Sequence, residues 1–114
     1  MPELSLDRKI YQLHAELCKT VANPTRIEIL NLLRQGEKSV NELVILAGIR
    51  RATVSQHLAV LRQRGIVSTR KEGVRIYYAI TTPRMIKACD MIREVLFVQL
   101  ADMEKLAKSE AETK

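Results

Sequence analysis

Between Arg50 and Arg75 stand seven basic residues, Arg50, Arg51, Arg62, Arg64, Arg70, Lys71 and Arg75, against one acidic residue, Glu72. That stretch carries +6, the formal charge of the whole 114-residue chain, so the remainder sums to zero. A basic stretch confined to one part of a balanced protein is the electrostatic footprint of a polyanionic partner. Groups with more specific hydrogen-bonding power are interleaved with it. Gln56 can pair with adenine through two hydrogen bonds and an arginine such as Arg51 with guanine, while Ala52, Ala59 or the Thr53 methyl can touch a thymine methyl. The plain alternative for the cations is a well-solvated face. Catalytic chemistry finds no comparable foothold. No histidine stands with a plausible nucleophile, there is no glycine-rich phosphate loop, and no carboxylate pair is set among apolar residues. The chain is read as a non-enzyme.

These residues must be held by elements whose pattern is legible. Leu6, Ile10, Leu13, Leu17 and Val21 mark one face of a first helix, about 6–21. Asn23-Pro24 supplies an N-cap and a proline at the first helical position, opening a second helix to about Gln35 with Ile27, Leu30 and Leu33 as its stripe. Gly36 ends it. Ser39-Val40-Asn41-Glu42 reads as a capping box for a short third helix carrying Leu43, Val44 and Leu46, stopped by Gly48. A fourth helix from Arg51 to about Arg64 turns Val54, Leu58 and Leu61 inward and Ala52, Thr53, Gln56, Ala59 and Gln63 outward, with Arg51, Ser55 and His57 on its flanks. The period then changes to two. Ile66–Arg70 and Arg75–Ile80 form a β-hairpin turning through Lys71-Glu72-Gly73, and Thr82-Pro83 opens a last helix to about Lys108. Its stripe is Met85, Cys89, Ile92, Leu96, Leu100, Met103 and Ala107.

The expected fold is therefore mainly α with a β-hairpin wing, a winged helix-turn-helix of order α-α-α-α-β-β-α. It is read as one domain over 1–114, with 109–114 a frayed polar tail. Arg50, Arg51, Thr53, Ser55, Gln56, His57 and Arg62 around the fourth helix, with Arg70, Lys71 and Arg75 on the wing, are the expected DNA contacts. For the wing cations, protection of an exposed strand edge is the competing account, and for His57 it is packing against the hairpin. Double-stranded DNA is the expected partner. No apolar run approaches 18 residues and the N-terminus lacks a signal-peptide pattern, so no membrane role and a cytoplasmic location are expected.

The segments ANPTRIEIL (22–30), KSVNEL (38–43), ATVSQHLAVLRQRGIV (52–67) and KEGVRIYY (71–78) resemble the ArsR/SmtB family of dimeric repressors. The resemblance spans about two-thirds of the chain. It implies a homodimer through the first and last helices, an inverted-repeat operator and release by an inducer. Leu6, Ile10, Leu13, Leu17, Ile92, Leu96 and Met103 are then the candidate dimer interface. Departures from the family pattern are equally informative. Where arsenic sensors of the family carry Cys-x-Cys, this chain has Ser39 and Asn41; where zinc sensors carry Asp-x-His, it has Asp90, Met91 and Ile92, and no histidine follows His57. No metal site is assigned, and His14 is read as a helix-surface or interface residue.

What remains for sensing is Cys18 and Cys89, on the two helices expected to meet in the dimer. Two cysteines make no disulfide framework and fit a reducing cytosol. As a dithiol they could receive an oxidant or reactive sulfur, or hold a thiophilic metal such as arsenite or Cu(I); as small hydrophobes they would simply be buried. All three readings stand. So do two rivals for the whole protein: a winged-helix module that docks protein without reading DNA, and a constitutive repressor without inducer.

Overall fold

The computed structural model describes the backbone of residues 2–112 and the side chains of residues 7–112. Its elements run α1 (Pro2–Val21), α2 (Pro24–Leu32), a single 3-10 turn (Leu33–Gln35), β1 (Lys38–Ser39), α3 (Val40–Ala47), α4 (Arg51–Gln63), β2 (Val67–Glu72), β3 (Arg75–Ile80) and α5 (Pro83–Glu112). The chain divides into two compact units, the first reaching to Pro83 and the second beginning at Arg84.

Local chemistry explains where the helices of the first unit begin and end. The Asn23 side chain accepts a hydrogen bond from the Arg26 amide at 3.2 Å, and Pro24 occupies a position whose N–H would have no helical partner. At α3 the Ser39 hydroxyl accepts from the Glu42 amide at 3.2 Å, and the Glu42 carboxylate accepts from the Ser39 amide at 3.4 Å. The capping box read from the spacing is thus formed. Gly48 closes α3 in the left-handed conformation (φ 67°), which residues with a side chain adopt only under strain. Arg50, by contrast, caps α4 with no side-chain hydrogen bond.

The core of this unit is aliphatic. Ile29 and Leu30 from α2, Leu33 from the turn after it, Leu43 from α3, Val54, Leu58 and Leu61 from α4, then Ile66 and Val67, are all buried. Each such side chain contributes about 1.5–3 kcal/mol by leaving water. The α4 stripe is the one expected. Two other expectations need correction. Ile27 is only half-buried while Ile29 is fully buried, and Leu46 is 54% exposed. Apolar residues crowd α3, so periodicity alone left its rotation open. The capped start at Ser39 fixes where the helix begins, and packing against its neighbours buries Leu43, with Val44 and Ala47 half-buried beside it.

The sheet is antiparallel with strand order β1-β3-β2. The edge strand β1 is new relative to the sequence reading, since two residues carry no periodic signal. It pairs Lys38 with Tyr78 and Ser39 with Tyr77. The hairpin turn also shifts. Glu72 pairs with Arg75, so Lys71 and Glu72 belong to β2 and the turn is Gly73-Val74. Gly73, at φ 61°, takes the positive φ that a two-residue hairpin needs at its first position. The expected in–out alternation of β3 gives way to half-burial on both faces from Tyr77 to Ile80, with Ile76 41% exposed nearer the tip. β3 has β1 beside it at Tyr77 and Tyr78, whereas towards the tip only β2 accompanies it.

In the second unit α5 is continuous to Glu112. Ser109–Glu112, expected as frayed tail, are helical; Ser-Glu-Ala-Glu contains no residue that breaks a helix. Ile86 is its buried residue, while Ile92, Val95, Leu96, Val98, Leu100 and Met103 are all exposed.

Candidate nucleic-acid interface

On α4 the buried stripe fixes which side chains face outward. Ala52, Gln56, Ala59 and Gln63 are exposed on the side opposite Val54, Leu58 and Leu61. Arg51, Ser55 and Arg62 are exposed along one flank, and Arg50 stands exposed at the N-cap. Thr53 and His57 lie on the other flank and are half-buried. Small alanines between two glutamines leave a surface that can approach a base-pair edge closely, while flanking arginines can meet phosphates.

His57 is turned away from that surface. Its Nδ1 accepts a hydrogen bond from Nε of Arg26 at 3.1 Å, and Nη1 of the same arginine donates to the Thr20 carbonyl at 2.8 Å. Arg26 therefore links the end of α1, the first turn of α2 and the flank of α4. Burial, and then the Arg26 charge, hold the imidazole below its ordinary value, so the neutral ring is the form that accepts. The structure ties His57 to α2 through Arg26, making it a brace of α4, where the sequence reading had it packing against the hairpin or touching DNA.

The hairpin splits its cations between two faces. Alternation along paired strands places Lys71 and Ile76 on the face that also carries Val67 and Ile80, and Arg70, Glu72, Arg75 and Tyr77 on the other. Arg70 is held there. Its Nε and Nη2 donate to the two carboxylate oxygens of Glu37 at 3.1 and 2.6 Å, its Nη1 donates to Glu72 at 2.9 Å, and the guanidinium lies 4.8 Å from the Tyr77 ring centroid. The hydrogen bonds from Arg70 hold the Glu37 carboxyl below the usual range and, chiefly through Glu37, strengthen the protonation of Arg70. Arg70 is thus already matched by two carboxylates, although it is exposed as Lys71 and Arg75 are.

Between the wing and the helices lies an open cleft of about 470 Å³. Arg51 lines it from α4 and Arg75 from the wing; Ser39, Asn41 and Ile45 line it from the α3 side, with Val74 and Ile76 opposite. Ile45 (79% exposed) and Val74 (97% exposed) escaped the sequence reading. An apolar residue just after the turn glycine was the available signal for Val74. Arg26 and Glu37, each a partner of an expected DNA contact, were missed because their partners are distant in sequence.

Of the candidate interface residues between copies, Ile10, Leu13 and Leu17 are exposed on α1, and Ile92, Leu96 and Met103 on α5. Leu6 lies in α1 but its side chain is outside the described residues. Cys18 is exposed and Cys89 half-buried. Among the described residues no three His, Cys, Asp or Glu side chains form a metal-holding group, and no helix is long and apolar enough to cross a membrane.

Residues 23–69 match the model of the family described as bacterial regulatory protein, arsR family. The chain is 39% identical over 94 residues to an uncharacterized HTH-type transcriptional regulator of Mycobacterium tuberculosis strain H37Rv, covering 82% of each. The crystal structure of that regulator superposes with a TM-score of 0.74 over 82% of this chain and 94% of the other. A biofilm growth-associated repressor of Agrobacterium fabrum is 41% identical over 92 residues, 81% of this chain and 76% of that protein. A homodimeric winged helix-turn-helix DNA-binding domain from Mycobacterium bovis, solved in solution, is 34% identical with a TM-score of 0.70 over 82% of this chain and 89% of that one.

Proposed function

The chain belongs to the arsR family of bacterial regulatory proteins, and on that premise we propose that it is a homodimeric repressor reading an inverted-repeat operator, with no catalytic role. The observation that carries the reading is the exposed Ala52, Gln56, Ala59, Gln63 face of α4 set beside a cleft walled by Arg51 and Arg75. Gln56 and its neighbours read base edges in the major groove. One phosphodiester strand passes between α4 and the wing, met by Arg50, Arg51 and Arg62 on the helix side and Arg75 on the other, while Lys71, on the opposite face of the hairpin, meets a separate phosphate. Such a protein works where its DNA is, in the cytoplasm.

Dimerisation is supported by the exposed leucines, isoleucines and methionines of α1 and α5, more apolar surface than a monomer of this size ordinarily shows to water. A two-fold pair places its recognition helices one turn of DNA apart, about 34–36 Å. Release by thiol chemistry at Cys18 and Cys89, with reactive sulfur, an oxidant or a thiophilic metal as inducer, accompanies this reading. Its support is that each thiol sits on one of the two helices assigned to the interface.

The test is selection of duplexes from a random pool on the purified protein, followed by affinity as a function of salt. The expected result is a palindromic consensus and a log–log salt slope of about −0.9 per phosphate engaged. A salt-independent affinity, or no enrichment over the random pool, would replace this reading with a module that docks protein.

A further inference from the structure

We infer that Glu37 and Arg70 form a clasp that sets the angle of the wing against the helix-turn-helix, making Glu37 a positioning residue for DNA binding although its charge repels DNA. The inference rests on the DNA-reading function proposed above.

One side chain spans the whole sheet. Arg70 leaves β2, crosses the Tyr77 ring on the central strand β3, and ends on Glu37, the residue immediately before β1. The edge strand it secures is two residues long, so its own pairing with β3 is a weak restraint on the hairpin. The same strand ends in Ser39, the N-cap of α3. The clasp therefore ties the outer strand of the wing to a point two residues before the helix-turn-helix begins. Beyond Arg70 and Tyr77 the hairpin projects to its tip at Gly73-Val74 over about 10 Å, at about 3.3 Å per residue. A tilt of about 10° at the clasp would carry the tip through about 2 Å and the Arg75 backbone through about 1 Å, enough to stretch a hydrogen bond from Arg75 to a phosphate beyond its range.

The pairing is geometrically demanding. Two nitrogens of one guanidinium meet both oxygens of one carboxylate, and a third nitrogen meets Glu72. A lysine, with one point charge, could not hold this fork. Two carboxylates against one guanidinium leave the cluster with a net charge of −1, so its direct electrostatic effect on a DNA partner is unfavourable. Charge counting alone says that Glu37→Gln should bind DNA more tightly. The clasp requires the opposite sign.

The experiment compares wild type, Glu37→Gln, Arg70→Lys, Arg70→Gln and the Glu37→Gln/Arg70→Lys double variant. The probes are a 30-base-pair duplex selected on the wild-type protein and a random duplex of equal length, across a salt series. Backbone ¹⁵N order parameters at Gly73 and Val74 report the wing itself. Both side chains are about half exposed, so all variants should fold, which thermal melting checks. The expected result is a threefold to fivefold loss of affinity per wing, on the order of one exposed bidentate pair, in Glu37→Gln and in Arg70→Lys. The double variant should be no weaker than Arg70→Lys, the salt slope should fall by the same amount, up to about 0.9 per wing, in Glu37→Gln and in the Arg70 variants as Arg75 leaves its phosphate, and the tip order parameters should fall. Equal or tighter binding by Glu37→Gln overturns the clasp, as does a salt slope reduced by about 0.9 per wing in Arg70→Gln but unchanged in Glu37→Gln, which would make Arg70 a direct phosphate contact. If wild type itself shows no salt-dependent binding to either duplex, the DNA-reading function fails instead, and the two failures are distinct.

Discussion

Replacing His57 by Asn should remove most of an acid-induced loss of stability that the wild-type protein shows between pH 8 and pH 5. Burial first, and the Arg26 charge second, hold the imidazole below 6.5 in the folded chain, so the unfolded chain takes up the proton first. Stability from the neutral ring is fully present above pH 6.5 and is lost as pH falls through the lower folded value. The lost interaction is one hydrogen bond from a charged donor at 3.1 Å, joined by repulsion between two adjacent cations once the ring is protonated. A hydrogen bond to a charged group contributes about 1.5–3 kcal/mol when shielded; His57 is half-buried, so about 1 kcal/mol is the working figure. Asn places an amide oxygen near the position of Nδ1 and does not titrate, so it keeps the acceptor for Arg26 without the proton. Urea unfolding at fixed protein concentration measures the difference. Wild type should lose about 1 kcal/mol more than His57→Asn between pH 8 and pH 5, equivalent to several degrees in Tm. Identical pH dependence in wild type and His57→Asn would refute the Arg26–His57 bond as a support of the recognition helix.

Other expectations follow from burial and exposure. Ile29→Ala should cost about 2–5 kcal/mol in urea unfolding and Ile27→Ala well under half as much; equal costs would contradict the assigned rotation of α2. Leu96→Asp, placed on an exposed apolar stretch of α5, should sediment as a folded monomer and lose at least tenfold in affinity for a palindrome, while an intact dimer would move the interface elsewhere. If the thiol reading is right, persulfide, oxidant or arsenite should release DNA from wild type but not from Cys18→Ser or Cys89→Ser; normal release from both variants would place the switch elsewhere.

Signals that act within a few residues were legible in the sequence. Asn23-Pro24, the Ser39–Glu42 box, Gly48 and the Val54, Leu58, Leu61 stripe each depend on geometry internal to one helix turn or one helix face. Together they placed the recognition helix and its outward residues, and the basic run from Arg50 to Arg75 named the partner's charge. What the sequence left open was every choice made between elements. Ile27 and Ile29 are alike as residues, and only packing against neighbouring elements selects the one that is buried. Lys38–Ser39 becomes a strand because β3 passes alongside it and offers free backbone groups; two residues could not nucleate one alone. His57 and Arg70 read as DNA contacts by type and position, yet each is claimed by a partner about thirty residues away, Arg26 and Glu37. A side chain's chemistry is local, but its availability depends on which opposite charge or hydrogen-bonding group the fold brings within hydrogen-bonding distance, and that is decided only when the chain closes on itself.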